Sequence, residues 1–198
     1  MIRIILFFIL VCSGPQFLDY NYNNNETKES VVVLSSESFL RIKGKTNVSS
    51  FECQFDMSSI SEVIKINYRT LDNKIKFEDT KLVLPNVEFN CGGKAINKDF
   101  NKLLNTAEHP KITLKLKEIS NLESQSQTLT ATIEITISNV TRQYKTPINL
   151  AQDQDLHVNG VLPLNINDFN LEAPTKMLGM VKVSPQIEIQ FSLKMLES

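Results

Sequence analysis

A chain of 198 residues is long enough for one domain with a sizeable hydrophobic core. Its 21 basic and 22 acidic residues leave a net charge of −1, so there is no electrostatic footprint for nucleic acid or for an anionic membrane surface. Three cysteines and two histidines leave little material for metal or nucleophile chemistry.

The chain begins with one positive charge, Arg3, and an unbroken apolar run from Ile4 to Val11 that stops at Cys12-Ser13-Gly14-Pro15. This pattern predicts a signal peptide over residues 1–13, because a membrane span would need about 20 apolar residues. Cleavage is expected after Ser13, since a cut after Gly14 would place Pro15 in the scissile bond. Lipoprotein processing at Cys12 is the alternative, but Val11 stands where that cut usually takes Gly, Ala or Ser. A periplasmic or secreted protein follows from this reading. Cys53 and Cys91 would survive cleavage, and an even pair in an oxidising compartment is expected to form a disulfide.

Residues 14–30 read as a polar, flexible tether, because the stretch from Asp19 to Ser30 is Asn-rich and too poor in apolar side chains to offset the entropy of ordering. A single domain is expected over 31–198, built from runs with a period of two, the spacing of half-buried strands. Phe51, Cys53 and Phe55 alternate with Glu52, Gln54 and Asp56, and Val87, Phe89 and Cys91 alternate with Glu88 and Asn90. Further on, Ile112, Leu114 and Leu116 share one face, as do Leu129, Ala131, Ile133, Ile135 and Ile137. The last strand sets Val183, Ile187, Ile189, Phe191, Leu193 and Met195 against Glu188, Gln190, Ser192 and Lys194. Such alternation predicts antiparallel strands, since buried parallel strands read as continuous apolar runs.

One segment departs from this period. Phe100, Leu103, Leu104 and Ala107 follow helical spacing, with Asn97 as the expected N-cap, Asp99 near the helix start and Pro110 as its end. Many one-face-apolar strands with one short helix define a sandwich or a closed barrel, and periodicity does not choose between them.

The chemistry of catalysis is sparse. Gly44-Lys45-Thr46 resembles the end of a phosphate-binding loop, but Phe39 stands where its first glycine would be, so a turn is the expected account. His109 and His157 lie in unrelated settings without ligand spacing to a partner, so no metal site or cofactor is expected. There is no Gly-x-Ser-x-Gly elbow, and the single carboxylates Glu52, Asp56, Glu88 and Glu134 fall on polar strand faces. A non-enzyme is expected.

Three stretches taken in order carry a family resemblance. They are Ser38 to Val48 with Phe51-Glu52-Cys53; Gly92 to Phe100 running on to His109-Pro110-Lys111-Ile112-Thr113; and Leu162-Pro163-Leu164 through Asp168-Phe169 and Ala173 to Gly179 into the closing strand. Together they resemble the YceI-like family over Ser38 to Leu193, departing at Ser138-Asn139, where many members carry His-Gly before Val-Thr. The resemblance implies a lipocalin-like antiparallel β-barrel of about eight strands with one short helix, binding a polyisoprenoid or related amphiphile inside, with membrane contact during lipid exchange. The candidate lining is Phe51, Phe55, Phe89, Ile133, Ile135, Phe169, Ile189 and Phe191, with Met177 and Met180, beside Leu178, forming an adaptable mouth. The alternative function is a protein-interaction or structural module with a solid core.

Overall fold

The computed structural model describes residues 26–60, 63–122, 128–152, 154–176 and 180–197. The expected signal peptide, most of the expected tether, and Met177 and Leu178 lie outside these residues.

The chain order is β1 (Lys28–Leu34), β2 (Phe39–Lys45), β3 (Ser50–Phe55), β4 (Ile64–Leu71), β5 (Lys74–Glu78), β6 (Lys81–Pro85), β7 (Phe89–Asn90), α1 (Lys94–Leu103), β8 (Lys111–Ser120) and β9 (Thr128–Ile137). It continues with β10 (Val140–Gln152), β11 (Leu156–Asn165), β12 (Thr175–Lys176), β13 (Val181–Lys182) and β14 (Gln186–Glu197). Strand β1 begins at Lys28, inside the stretch read as tether. Eight strands pair as a closed antiparallel ring, β1-β4-β5-β8-β9-β10-β11-β14 and back to β1. The fold is therefore the lipocalin-like barrel with one short helix, and closure removes the edges that an open sheet would expose.

Two strands of the ring change partners along their length. The C-terminal half of β14 pairs with β1, from Leu34↔Met195 to Val32↔Glu197, while its N-terminal half pairs with β2, from Phe39↔Ser192 to Lys43↔Glu188. On the opposite wall, β8 pairs with β5 at Glu118–Ser120 and with β6 at Lys111–Lys115, with a register shift between Leu116 and Glu118. One end of the barrel is thus walled by β1, β4 and β5, the other by β2, β3, β6 and β7.

Backbone groups at both changeovers are satisfied individually, as a closed wall requires. At the first, the Ser35 amide donates to the Lys194 carbonyl at 2.9 Å, and the Ser38 hydroxyl accepts from the Lys194 amide at 3.0 Å. At the second, the Leu116 amide donates to the Thr80 carbonyl at 3.0 Å.

Gly44 lies within β2, not in a turn. It sits opposite Phe51 on β3, whose ring covers it so closely that a Cβ there would fall inside the ring's contact distance. The turn comes two residues later, where the Thr46 amide and hydroxyl both bond the Ser49 carbonyl.

The helix also begins earlier than its apolar spacing suggests. Gly93, not Asn97, is the N-cap, and Gly92 takes a left-handed φ of 86° that favours a residue without a Cβ. Asn97 instead accepts a 2.7 Å bond from the Cys91 amide, and Asp99 sits in the middle of the helix. Termination falls at Leu104 and Asn105, the latter at φ 48°, so Pro110 leads into β8 without ending α1. Ala107 is exposed, outside the apolar stripe.

Candidate binding cavity

Inward-facing positions of the ring carry apolar residues from every wall, and they do not fill the space between them. The larger cavity, about 210 Å³, lies at the end walled by β1, β4 and β5. It is bounded by Ile66, Phe77, Leu116, Ile119, Ala131, Ile133, Ile148, Val158, Phe191 and their apolar neighbours, with Thr80 and Lys81 the polar exceptions. A second, about 80 Å³, lies under the helix and is lined by Phe51, Leu84, Phe89, Phe100, Leu103, Ile137, Ile187 and others. Leu40, Leu114, Ile135 and Ile189 border both and form the waist between them.

The larger space greatly exceeds the roughly 10–15 Å³ that one water needs, yet its walls offer almost no polar partners to hold water. Packed interiors rarely leave such voids, because the lining forfeits dispersion contacts across them. An apolar chain would restore those contacts.

The helix is fixed over the smaller cavity at both ends. Its N-terminal end is tied through Asn97 to Cys91, and Cys91 forms a disulfide with Cys53 on β3. That pair continues the register Phe55↔Phe89 and Gln54↔Asn90, so the bond staples β3 to the segment entering α1. At the C-terminal end, the Ser138 hydroxyl donates at 2.7 Å to the Leu104 carbonyl. Ser138 and Asn139 both have positive φ, 46° and 63°, forming the tight β9–β10 turn at the point where the sequence departs from the His-Gly of many family members.

The candidate lining residues divide into three groups. Phe51 and Phe89 border the smaller cavity, Ile133 and Phe191 the larger, and Ile135 and Ile189 both. Phe55 and Phe169, by contrast, border neither. Each is 1 % exposed, Phe55 packed edge-on against Phe89 at 5.0 Å and Phe169 stacked on Tyr144 at 6.1 Å, so neighbouring rings fill the space around them. Met180 is 64 % exposed and borders neither cavity. Its carbonyl accepts from the Asn47 side chain at 2.8 Å, which ties the β12–β13 hairpin to the β2–β3 turn.

The lining that phase alone missed comes from β4, β5 and β6, where Ile64, Ile66, Phe77 and Leu82 complete the larger cavity, and from β10 and β11, which add Ile148 and Val158. Half-burial alternates along Ile75 and Phe77, a signal present in the sequence. Among the described residues, no cluster of His, Cys, Asp or Glu could hold a metal ion.

A closed antiparallel barrel enclosing an apolar cavity is the architecture of proteins that lodge one small apolar ligand. A family model for the YceI-like domain matches residues 22–195, and the chain belongs to that family. Among solved structures, BcnA of Burkholderia cenocepacia is similar with a TM-score of 0.59 and 17 % identity, covering 82 % of this chain and 99 % of BcnA. A polyisoprenoid binding domain from Saccharophagus degradans, implicated in plant cell wall breakdown, has a TM-score of 0.59 and 15 % identity, covering 86 % of this chain and 100 % of that domain. At these identities the likeness concerns the fold. No curated protein matches the sequence.

Proposed function

We propose that this protein is an exported, non-catalytic carrier that holds the apolar chain of a polyisoprenoid or related amphiphile inside its barrel. The observation that carries the reading is the larger cavity, whose walls are almost wholly apolar and which shares its waist with the smaller one. Burial of a hydrocarbon chain there would gain the usual driving force of apolar surface leaving water. Membership of the YceI-like family and the likeness to a polyisoprenoid binding domain support the same reading. A solid-cored interaction module would leave no such space. Export is supported by the Arg3 to Val11 pattern and by the disulfide. Among the described residues, the cavity walls carry no constellation of acid, base and nucleophile, which supports a carrier over an enzyme acting on bound lipid.

Native mass spectrometry of protein purified from its host without detergent tests the proposal. The expected result is a bound hydrophobic molecule released on unfolding, and a mature N-terminus near Gly14 in the same spectrum. Ala131 is 2 % exposed and borders the larger cavity, so Ala131→Phe should fill it while keeping the face apolar. A folded Ala131→Phe variant without the ligand supports carriage. Wild-type protein that carries no hydrophobic molecule and takes up no added isoprenoid overturns it.

A further inference from the structure

Thr80 stands where the barrel's own pattern calls for a hydrocarbon. Immediately before β6, it shares the inward phase of Leu82 and Leu84, is 7 % exposed, and borders the larger cavity. Its carbonyl is occupied by the Leu116 amide, whereas its side-chain hydroxyl is buried without a hydrogen-bond partner. Leaving a buried hydroxyl unpaired is destabilising, and among the residues bordering this cavity no other buried side chain carries a polar group. Lys81, the other polar neighbour, is exposed and continues the outward phase.

We propose that Thr80 Oγ1 is the polar anchor of the cavity, pairing with one neutral oxygen group, a hydroxyl or a carbonyl, on the bound apolar chain. This rests on the carrier reading and adds to it a selection rule. A χ1 rotation can carry Oγ1 to the position the methyl group occupies while the methyl moves to that of Hβ, so the same side chain can present either a polar or an apolar atom to the ligand. A hydroxyl can donate to a carbonyl or accept from an alcohol, which fits both neutral groups. A charged head would be costly to bury, because no carboxylate borders the cavity and the one cation there lies in water. The selection would therefore favour an oxygen-bearing chain over a plain hydrocarbon, since a site left with an unpaired polar group rejects the analogue that cannot fill it.

The test compares 1-octanol with n-octane as competitors of the fluorescent dye N-phenyl-1-naphthylamine bound to the full-length protein. Thr80→Val should weaken octanol about five- to tenfold and leave octane within about twofold, the loss expected for one hydrogen bond. Thr80→Ser should keep the octanol affinity. Melting of ligand-free Thr80→Val should be unchanged or higher, because the substitution removes an unpaired polar atom. Equal weakening of octanol and octane, unchanged octanol binding, or a lower ligand-free melting temperature would each overturn the anchor. Wild type that binds octane without a Thr80 effect on octanol sinks this inference alone; wild type that binds neither sinks the carrier reading with it.

Discussion

Tyr144 on β10 shares the inward phase of Ile148 and packs against the core, and its phenol is a measurable reporter of that wall. Its ring stacks on Phe169 and its hydroxyl donates to Asp168 Oδ2 at 2.7 Å. Burial, reinforced by that bond to the carboxylate, pushes the phenol well above its ordinary value of 10.0. A group whose native pKa is raised contributes stability that is intact below the unfolded value and is lost as pH climbs above it. Thermal melting should therefore be insensitive to this residue below about pH 9 and fall more steeply above about pH 10 than in Tyr144→Phe. Parallel melting curves for the two proteins up to pH 11 would contradict the assignment. The same pair shows what alternation conceals. Phase puts Phe55 on the inward side and the family resemblance implies Phe169, but neither reports the neighbouring rings that turn those positions into solid core. Thr80 was illegible for a related reason: it follows Asp79, which turns the backbone through a φ of 52°, and sits between charged neighbours that read as loop.

At the level of strands and helix, the side chains at the partner changeovers act as backbone substitutes. Ser38, 6 % exposed, accepts from the Lys194 amide and donates to the Lys194 carbonyl at 3.3 Å, between the two halves of β14 that belong to different neighbours. Ser38→Ala would leave that amide unpaired in a buried position, at a cost of about 1–3 kcal/mol. Urea denaturation should show the loss, and amide exchange should be accelerated at Lys194 ahead of Leu193 and Met195; uniform exchange along β14 would argue that the Lys194 amide does not depend on Ser38. Strands were the most legible elements, because β9 and β14 alternate cleanly against water. The helix ends were less so. Apolar spacing located the stripe Phe100, Leu103 and Leu104, but the start is set by Gly92 and Gly93, whose role depends on backbone conformation and leaves no periodic trace. Asn97, a good capping residue in isolation, is claimed by the Cys91 amide.

For the molecule as a whole, alternation left sandwich and barrel equally open, and the family resemblance selected the barrel that the closed ring displays. What decides closure is pairing between segments far apart in sequence, β1 with β14 and β3 with β7, which no local pattern encodes. The Cys53–Cys91 bond secures the second of these. In the chain-entropy model a loop of this size, with a sequence separation of 38, gives about 3–4 kcal/mol of stabilisation. The double variant Cys53→Ala/Cys91→Ala should lose stability of that order in chemical denaturation, and unfolded, unreduced wild type should show neither of these two thiols free. A wild type and double variant with the same denaturation midpoint would remove the bond from the energetics of closure.

The pairing of β14 also sets the order in which the protein can be assembled. This final strand touches β11, β2 and β1, so three seams of the barrel depend on residues Gln186–Glu197. A nascent chain leaving the ribosome has already produced β1, β2 and β11 before their common partner exists. Neither ring nor cavity can form before Gln186–Glu197 have been made, and the contacts that close the ring join β1 to β14, far apart in sequence, a topology that folds slowly. Until that strand pairs, the wall is an open sheet with its seams unmade. An empty or loaded state is then decided in the compartment where folding ends, so the hydrophobic molecules present there are the first that the newly closed barrel can enclose.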